Sequence, residues 1–209
     1  MMPSTKIINQ GQNRLILCEG MDAVGKTSTI TKTITLLNQD YQNHATHEHY
    51  SYSKGLRSKG IIGAINHMTP STLTLLLELY VHDKQIIRPL LKSGQSIIMD
   101  RGYGTIITYH TPTLIQEYCK KIYDKIYTLL TQPVVLVYFE TSLEERMKRL
   151  YARNDFNDRI FKDPTSIIIE REQRMRQWYE SFSGKKQCIN TTEKSVEESA
   201  LQLYELIRK

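Results

Sequence analysis

The chain has 209 residues, 40% hydrophobic and 24% charged, which is ordinary for a globular protein and sufficient for one α/β domain. No apolar run reaches the roughly 18 residues of a membrane-spanning helix, so we expect no membrane partner. The net charge is +6, but basic and acidic residues are interleaved along the chain, so we expect no nucleic-acid partner.

Predicted strands and helices alternate along the chain. The strands are predicted at 14–19, 45–50, 95–100, 134–140 and 186–190. The helices are predicted near 25–38, 54–67, 71–92, 112–131, 142–153, 165–182 and 195–208. This alternation favours a parallel sheet covered on both faces. We therefore predict a single α/β domain over residues 1–209, a three-layer sandwich with a five-stranded parallel sheet.

The first strand–helix connection is a glycine-rich phosphate-binding loop. Residues 20–27 fit the pattern G-x-x-x-x-G-K-[ST], between an apolar run of strand length and a helical spacing. An accidental glycine turn is the alternative, and this strand–loop–helix order argues against it. The pattern predicts the P-loop NTPase fold, with ATP as ligand and a magnesium ion bound by the Thr27 hydroxyl. The predicted ATP-binding residues are Gly20, Met21, Asp22, Ala23, Val24, Gly25, Lys26, Thr27 and Ser28.

A second candidate group follows the strand predicted at 95–100. Asp100 ends this apolar strand and Arg101 comes next. Because ligands of parallel sheets bind at the carboxyl ends of strands, we expect Asp100 to hold Mg²⁺ and Arg101 to bind phosphate. An ion pair between Asp100 and Arg101 at the end of the strand is the alternative.

A third group combines arginines with a polar break. Arg146, Arg149 and Arg153 recur at helical spacing, and Arg159 follows the segment "NDFND". An arginine-bearing helix that leads into a polar loop is what a phosphoryl-transfer lid requires, so we predict a helical lid near 150–164. A solvated helix face with local ion pairs is the alternative.

Together these motifs resemble the thymidylate kinases, a family of nucleoside monophosphate kinases. "CEGMDAVGKT" resembles the family's E-G-x-D-G-x-G-K-[ST] loop, residues 75–110 resemble its long helix, strand and D-R-[YWF] segment, and "RLYARNDFNDRIFKD" resembles its lid pattern R-x-x-x-R…D-R. The resemblance extends over roughly residues 14–208. It implies ATP- and magnesium-dependent phosphorylation of a deoxynucleoside monophosphate, dTMP to dTDP being the first expectation.

The resemblance also implies roles for individual residues. Asp22 falls beside the acceptor's 3′-hydroxyl and the metal, and Tyr80 where an aromatic ring stacks on the base. Lys84 occupies the position at which the family usually has an arginine that contacts the thymine carbonyl. Arg101 occupies the position of the residue that binds the acceptor phosphate. Thr105 falls near the base edge and Tyr109 under the deoxyribose. The expected catalytic residues are Lys26, Asp22, Arg101, Arg153 and Arg159, and Arg149 is expected to bind ATP.

Five departures from the family pattern affect these expectations, the first being Gly102, which replaces the usual aromatic of the D-R-[YWF] segment. The T-R-E-P turn appears as "THEHY", without arginine, so Arg57, Lys59 or His47 becomes the candidate for the acceptor phosphate. Lys84 lacks the planar fork of arginine, which puts base choice in question. Phe161 stands where the lid often carries a glutamate. The loop has no arginine of its own, so the catalytic cation is expected from the lid.

Two other functions are also compatible with a P-loop in this sequence. A deoxynucleoside kinase has a related fold, but it needs a carboxylate base and generally has E-R-S where this chain has Asp100, Arg101 and Gly102. A nucleotide-binding switch needs no pocket for a second substrate, so the arginine group and the Tyr80 region argue against it.

We expect nucleotide substrates and a homodimer. Three widely spaced cysteines favour free thiols and a cytoplasmic location.

Overall fold

The computed structural model describes residues 14–39, 45–49, 72–110, 113–154, 161 and 163–208. Its strands are β1 (Leu15–Gly20), β2 (Ala45–His49), β3 (Ser96–Asp100), β4 (Val135–Glu140) and β5 (Lys186–Asn190). Its helices are α1 (Lys26–Gln39), α2 (Thr72–His82), α3 (Arg88–Lys92), α4 (Tyr103–His110), α5 (Thr113–Leu129), α6 (Leu143–Ala152), α7 (Thr165–Ser181) and α8 (Val196–Arg208). The helix predicted near 54–67 lies outside the described residues.

The five strands form one parallel sheet in the order β2-β3-β1-β4-β5. The central strands β1 and β4 are apolar runs that are buried almost throughout, whereas the edge strand β5 is partly exposed. A parallel strand covered on both faces requires such a continuous apolar run. The predicted three-layer α/β sandwich with a five-stranded parallel sheet is confirmed.

Helices cover both faces of the sheet. On one face α1 packs against α8, and the Thr33 hydroxyl of α1 also contacts the Ala200 carbonyl at 3.2 Å. On the other face α4 packs against α2 and α7, and α2 against α5. Within the described ranges, no helix is both long and apolar enough to cross a bilayer.

Side-chain caps fix where two of these helices begin. The Ser142 hydroxyl accepts the Glu145 backbone N–H at the start of α6. Before α8, the Ser195 hydroxyl accepts the Glu198 N–H while the Glu198 carboxylate accepts the Ser195 N–H, which is a complete capping box. These caps satisfy backbone donors that a helix start leaves open.

Strand register brings the glycine-rich loop to the end of β3. Cys18 of β1 lies opposite Asp100 of β3, and Gly20 lies opposite Phe139 of β4. The loop that follows Gly20 therefore leaves the sheet between two neighbouring strand ends. Cys18 is a free thiol, as the sequence predicts, and so is Cys188, whereas the side chain of Cys119 lies outside the described residues.

The long helix predicted at 71–92 contains a π-helical segment over Asp83–Ile87, between α2 and α3. Buried Asp83 accepts the Thr131 backbone N–H at 3.1 Å and the Arg88 Nε–H at 2.6 Å. These bonds tie the segment to the end of α5. Within this segment Asp83 is buried, while neighbouring Lys84 is exposed.

Helix α4 is not predicted from the sequence, because the glycines at 102 and 104 suggest a loop. Gly104 lies inside the helix, and a Cβ atom at this position would overlap the Trp178 ring of α7. The glycine therefore permits close packing of α4 and α7, which offsets its poor helix propensity.

A small apolar cavity of about 30 Å³ lies between the sheet and the helices α2, α4 and α5. The Tyr127 ring lines it and lies 4.6 Å from the Tyr103 ring. The Tyr127 hydroxyl is buried and has no hydrogen-bond partner among the described residues, and burial together with the charge of Glu19 raises its pKa to about 12.

We predict that Tyr127→Phe leaves the free energy of unfolding unchanged or raises it by up to about 1 kcal/mol, because no described bond is lost and a buried polar group is removed. Urea unfolding measures this change. Tyr103→Phe is the matched control, since burial and then the charge of nearby Asp124 raise the pKa of the Tyr103 hydroxyl, which indicates a polar partner that Tyr127 lacks, and we expect it to cost about 1 kcal/mol. Destabilisation by Tyr127→Phe as large as that of the control would contradict the prediction.

Candidate active site

The loop after β1 has a backbone suited to enclosing phosphate. Gly20 has φ +142°, Ala23 +62° and Gly25 +86°. A Cβ atom at Gly20 would overlap the Phe139 carbonyl oxygen of β4, so this position requires glycine. Helix α1 begins at Lys26, directly after the loop, and its N-terminal end favours bound anions.

Lys26 lies inside the loop. Its Nζ donates to the Gly20 carbonyl at 2.7 Å and to the Met21 carbonyl at 2.9 Å, and only 5% of the residue is exposed. Burial, with the charge of Arg101, lowers the pKa of Lys26 to about 8. The ammonium group is therefore held where phosphate oxygens entering the loop would meet it.

Thr27 and Asp100 bring two oxygen ligands together at the junction of α1 and β3. The Thr27 hydroxyl donates to Asp100 Oδ2 at 2.6 Å. A hydroxyl and a carboxylate are hard oxygen donors, and Mg²⁺ in nucleotide sites usually takes one or two protein ligands plus phosphates and water. The donor set therefore fits a magnesium ion that accompanies a triphosphate.

Asp22 of the loop pairs with Arg101 at the end of β3, through Asp22 Oδ1 and Arg101 Nη2. Burial raises the pKa of Asp22, but the charges of Arg101 and Lys26 outweigh it, so the pKa lies below its usual value. Arg101 has φ +74°, and its backbone N–H donates to the Cys18 carbonyl at 2.9 Å. The ion pair joins the loop to a second cationic position.

Tyr109 of α4 lies beside this pair. Its hydroxyl accepts the Asp22 backbone N–H at 3.2 Å and contacts Met21 Sδ at 3.6 Å, and the Arg101 guanidinium lies 6.0 Å from its ring centroid. Burial, followed by the charge of Asp22, raises the pKa of Tyr109. The Tyr109 ring therefore lies beside the Asp22–Arg101 pair.

Tyr80 and Lys84, the two residues expected at the base, lie next to each other. The Lys84 Nζ is 5.5 Å from the Tyr80 ring centroid, and Tyr80 is half-buried. A cation over a ring face is an attractive arrangement. Lys84 belongs to the π-helical segment, which places it one turn after Tyr80.

The arginines of α6 differ in their positions. Arg149 donates to the Thr191 carbonyl at 2.6 Å, to the Thr191 hydroxyl at 3.1 Å and to the Ala23 carbonyl at 3.5 Å, so it contacts the loop. Arg153 is exposed at the C-terminal end of α6. Arg159, Arg57 and Lys59 lie outside the described residues, as does the side chain of His47.

Thr105 contacts a buried carboxylate in the structure. Its hydroxyl donates to Glu19 Oε2 at 2.5 Å and its backbone N–H donates to Glu19 Oε1 at 3.2 Å. Burial raises the pKa of Glu19, and the bonds from Thr105 oppose that shift. Sequence reasoning gave Glu19 no role, although an acidic residue inside an apolar strand is a signal of a partnered position.

Arg146 is a second residue that received no individual role from the sequence. It is 2% exposed, its Nε donates to the Asp22 carbonyl at 2.9 Å, and its Nη1 lies 3.4 Å from Glu172 Oε2. Its spacing from Arg149 indicated a shared helix face, but it did not indicate that the Arg146 guanidinium bonds to the backbone of the loop.

Two other loop positions were also predicted to bind ATP. The Val24 carbonyl accepts a hydrogen bond from the Thr191 hydroxyl at 2.9 Å, and Ser28 is exposed.

Comparison with known proteins points to one family. The family model for thymidylate kinase matches residues 18–202. The thymidylate kinase of Prochlorococcus marinus strain MIT 9303 is 29% identical over 165 residues, covering 70% of this chain and 73% of that protein. The thymidylate kinase of strain NATL2A is 26% identical over 218 aligned residues, covering 94% of this chain and 99% of that protein.

Two solved structures share the fold. The thymidylate kinase of Candida albicans aligns with a TM-score of 0.67 at 21% identity, covering 94% of this chain and 92% of that chain. The thymidylate kinase of Ehrlichia chaffeensis aligns with a TM-score of 0.61 at 15% identity, covering 93% and 98%.

Proposed function

The chain belongs to the thymidylate kinase family, and we propose that its site transfers the γ-phosphoryl group of ATP to dTMP, forming dTDP and ADP. The main structural support for this proposal is the Asp22–Arg101 ion pair. It joins the loop suited to a triphosphate to a second cation beside the Tyr109 ring. Such an arrangement accommodates two phosphate-bearing ligands at one edge of the sheet.

In the proposed reaction, a phosphate oxygen of dTMP forms a bond to the γ-phosphorus, and the bond from that phosphorus to the β–γ bridging oxygen breaks. The acceptor phosphate has a second pKa near 6 and is largely anionic at neutral pH, so no general base is needed. Catalysis then consists of aligning two anions and offsetting the charge that develops between them.

The site residues have distinct proposed roles. Lys26 offsets charge on the outer phosphates of ATP, and Arg101 binds the acceptor phosphate. Asp22 orients Arg101 in the absence of ligand and lies where the acceptor's 3′-hydroxyl is expected. Mg²⁺, held by Thr27 and Asp100, would supply further positive charge to the triphosphate.

Further roles rest on the family resemblance. Arg149 contacts the loop backbone, which supports its proposed role in ATP binding. Arg153 and Arg159 are proposed as lid cations, and Arg57 remains a candidate for the acceptor phosphate. Tyr109 and Thr105 are proposed near the deoxyribose and the base edge.

A homodimer is also proposed. Leu73 and Leu77 of α2 and Ile122 and Leu129 of α5 are large apolar residues that are 41% to 53% exposed, and the two helices pack against each other. Large apolar side chains that are exposed on neighbouring helices are typical of interfaces. Analytical ultracentrifugation tests this: a monomer at micromolar concentration would contradict it.

The assay of the proposed function measures kcat/KM with ATP and Mg²⁺ for dTMP, dUMP, dCMP and dGMP. We expect dTMP or dUMP to be the best acceptor, because the Tyr80 ring can stack on a pyrimidine and the Lys84 ammonium can donate to the C4 carbonyl of thymine or uracil, where cytosine carries an amino group. A preference for dCMP or dGMP over both would contradict the proposed acceptor.

The lysine at position 84 leads to a prediction about base selectivity. Its flexible ammonium cannot hold the bidentate geometry of arginine, so we expect weak discrimination among bases in the wild type. The thymidylate kinase of Candida albicans likewise has broad substrate specificity. Lys84→Arg is expected to raise the preference for dTMP over dCMP and dGMP by about tenfold. Identical preference profiles for the two proteins would mean that Lys84 does not face the base.

A further inference from the structure

A second guanidinium lies beside Tyr109. Arg171 of α7 has its guanidinium carbon 5.4 Å from the Tyr109 ring centroid, and that of Arg101 is 6.0 Å from the same centroid. Two cations, Arg101 directly after β3 and Arg171 of α7, thus border one ring. Arg171 is 15% exposed and forms an ion pair with Asp163, which precedes α7.

Charge balance favours a second cation for the acceptor monophosphate. The charge of Arg101 is already offset by Asp22. A phosphate monoester carries nearly two negative charges at neutral pH, because its second pKa is near 6. Binding it beside a triphosphate requires a further cation that can exchange its partner for the phosphate.

The other described basic groups around the loop are less suited to this task. Arg146 is almost fully buried and is held by the Asp22 carbonyl and Glu172. Lys26 lies inside the loop on the Gly20 and Met21 carbonyls, where ATP phosphates are expected. Arg149 is bonded to Thr191 on the other side of the loop.

We infer that Arg171 is the second cation of the acceptor-phosphate site, held by Asp163 in the absence of ligand and bonded to the phosphate of the nucleoside monophosphate when it binds. This inference rests on the proposed function for the identity of the acceptor. It assigns to α7 the positive charge that "THEHY", residues 46–50, lacks in place of the arginine of the T-R-E-P pattern. Arg171 is the binding residue, and Asp163 is the partner that the phosphate displaces.

The test compares equilibrium binding of dTMP and thymidine by titration calorimetry, since the two ligands differ only in the phosphate. Arg171→Gln is expected to weaken dTMP binding by about tenfold or more and to leave thymidine binding within about twofold of wild type. Arg171→Lys should restore part of the loss. Asp163→Asn keeps the cation and should bind dTMP at least as tightly as wild type.

Arg176→Gln is the matched control, because Arg176 on the same helix also pairs with a carboxylate, Glu140, and lies over a tyrosine ring, Tyr138. It should not change dTMP binding. Wild-type dTMP binding in Arg171→Gln, or an equal loss of thymidine and dTMP binding, would overturn the inference. A wild-type protein that neither binds nor phosphorylates dTMP would instead refute the proposed function.

Discussion

Lys26→Ala is expected to lower kcat by about 10²–10³-fold or more while the protein stays folded. The ammonium group lies inside the loop, where it donates to the Gly20 and Met21 carbonyls. Its removal takes a preorganised cation away from the outer phosphates, where charge develops during transfer. Steady-state kinetics and a thermal melting curve on the same variant measure both effects.

Lys32→Ala is the control for this variant. Lys32 lies on the same helix, but its side chain is 44% exposed and pairs with Glu197, away from the loop. We expect its kcat to equal that of wild type. Activity of Lys26→Ala within a few-fold of wild type would contradict the assignment of residues 20–27 as a phosphate-binding loop.

Arg101→Ala is expected to lower kcat/KM for dTMP by about 10²-fold or more, mainly through a higher KM. The guanidinium is largely buried against Asp22 and Tyr109, and the charge of Asp22 raises its pKa despite burial, so it stays protonated. Arg101→Lys keeps the charge but loses the planar fork, so it should recover only part of the activity.

The KM for ATP separates this role from a structural one. If Arg101 binds the acceptor phosphate, the KM for ATP should change by less than about threefold, since Lys26 and the loop remain. A parallel rise of both KM values, together with a lower melting temperature, would mean that loss of the Asp22 pair distorts the loop. An unchanged kcat/KM for dTMP would contradict the assignment outright.

The sheet and the loop could be predicted from the sequence, because the hydrophobic runs and the glycine spacing that indicate them are local signals. The apolar runs of β1, β3 and β4 require burial on both faces, and the glycines at 20 and 25 allow the positive φ angles of the loop. Since ligand sites of parallel sheets lie at the carboxyl ends of strands, Asp100 could be placed beside the loop from the sequence alone.

Partners across the fold could not be predicted in the same way. Thr105 was expected near the base edge, yet its bonds to Glu19 depend on how α4 approaches β1. Arg171 lies 62 positions after Tyr109 in the chain, and only the packing of α7 against α4 brings the two together. Spacing along a chain gives the face of a helix, but not the side chain that it meets.

The destination of the γ-phosphoryl group is the most direct test of the proposed transfer to dTMP. ATP labelled at the γ-phosphate is incubated with the protein and Mg²⁺, in parallel with dTMP, with thymidine and without acceptor, and the labelled products are separated. We predict that the label passes to dTDP in the first reaction, with little transfer in the other two. Faster label transfer to thymidine than to dTMP, or release as inorganic phosphate regardless of acceptor, would contradict the assignment as a nucleoside monophosphate kinase.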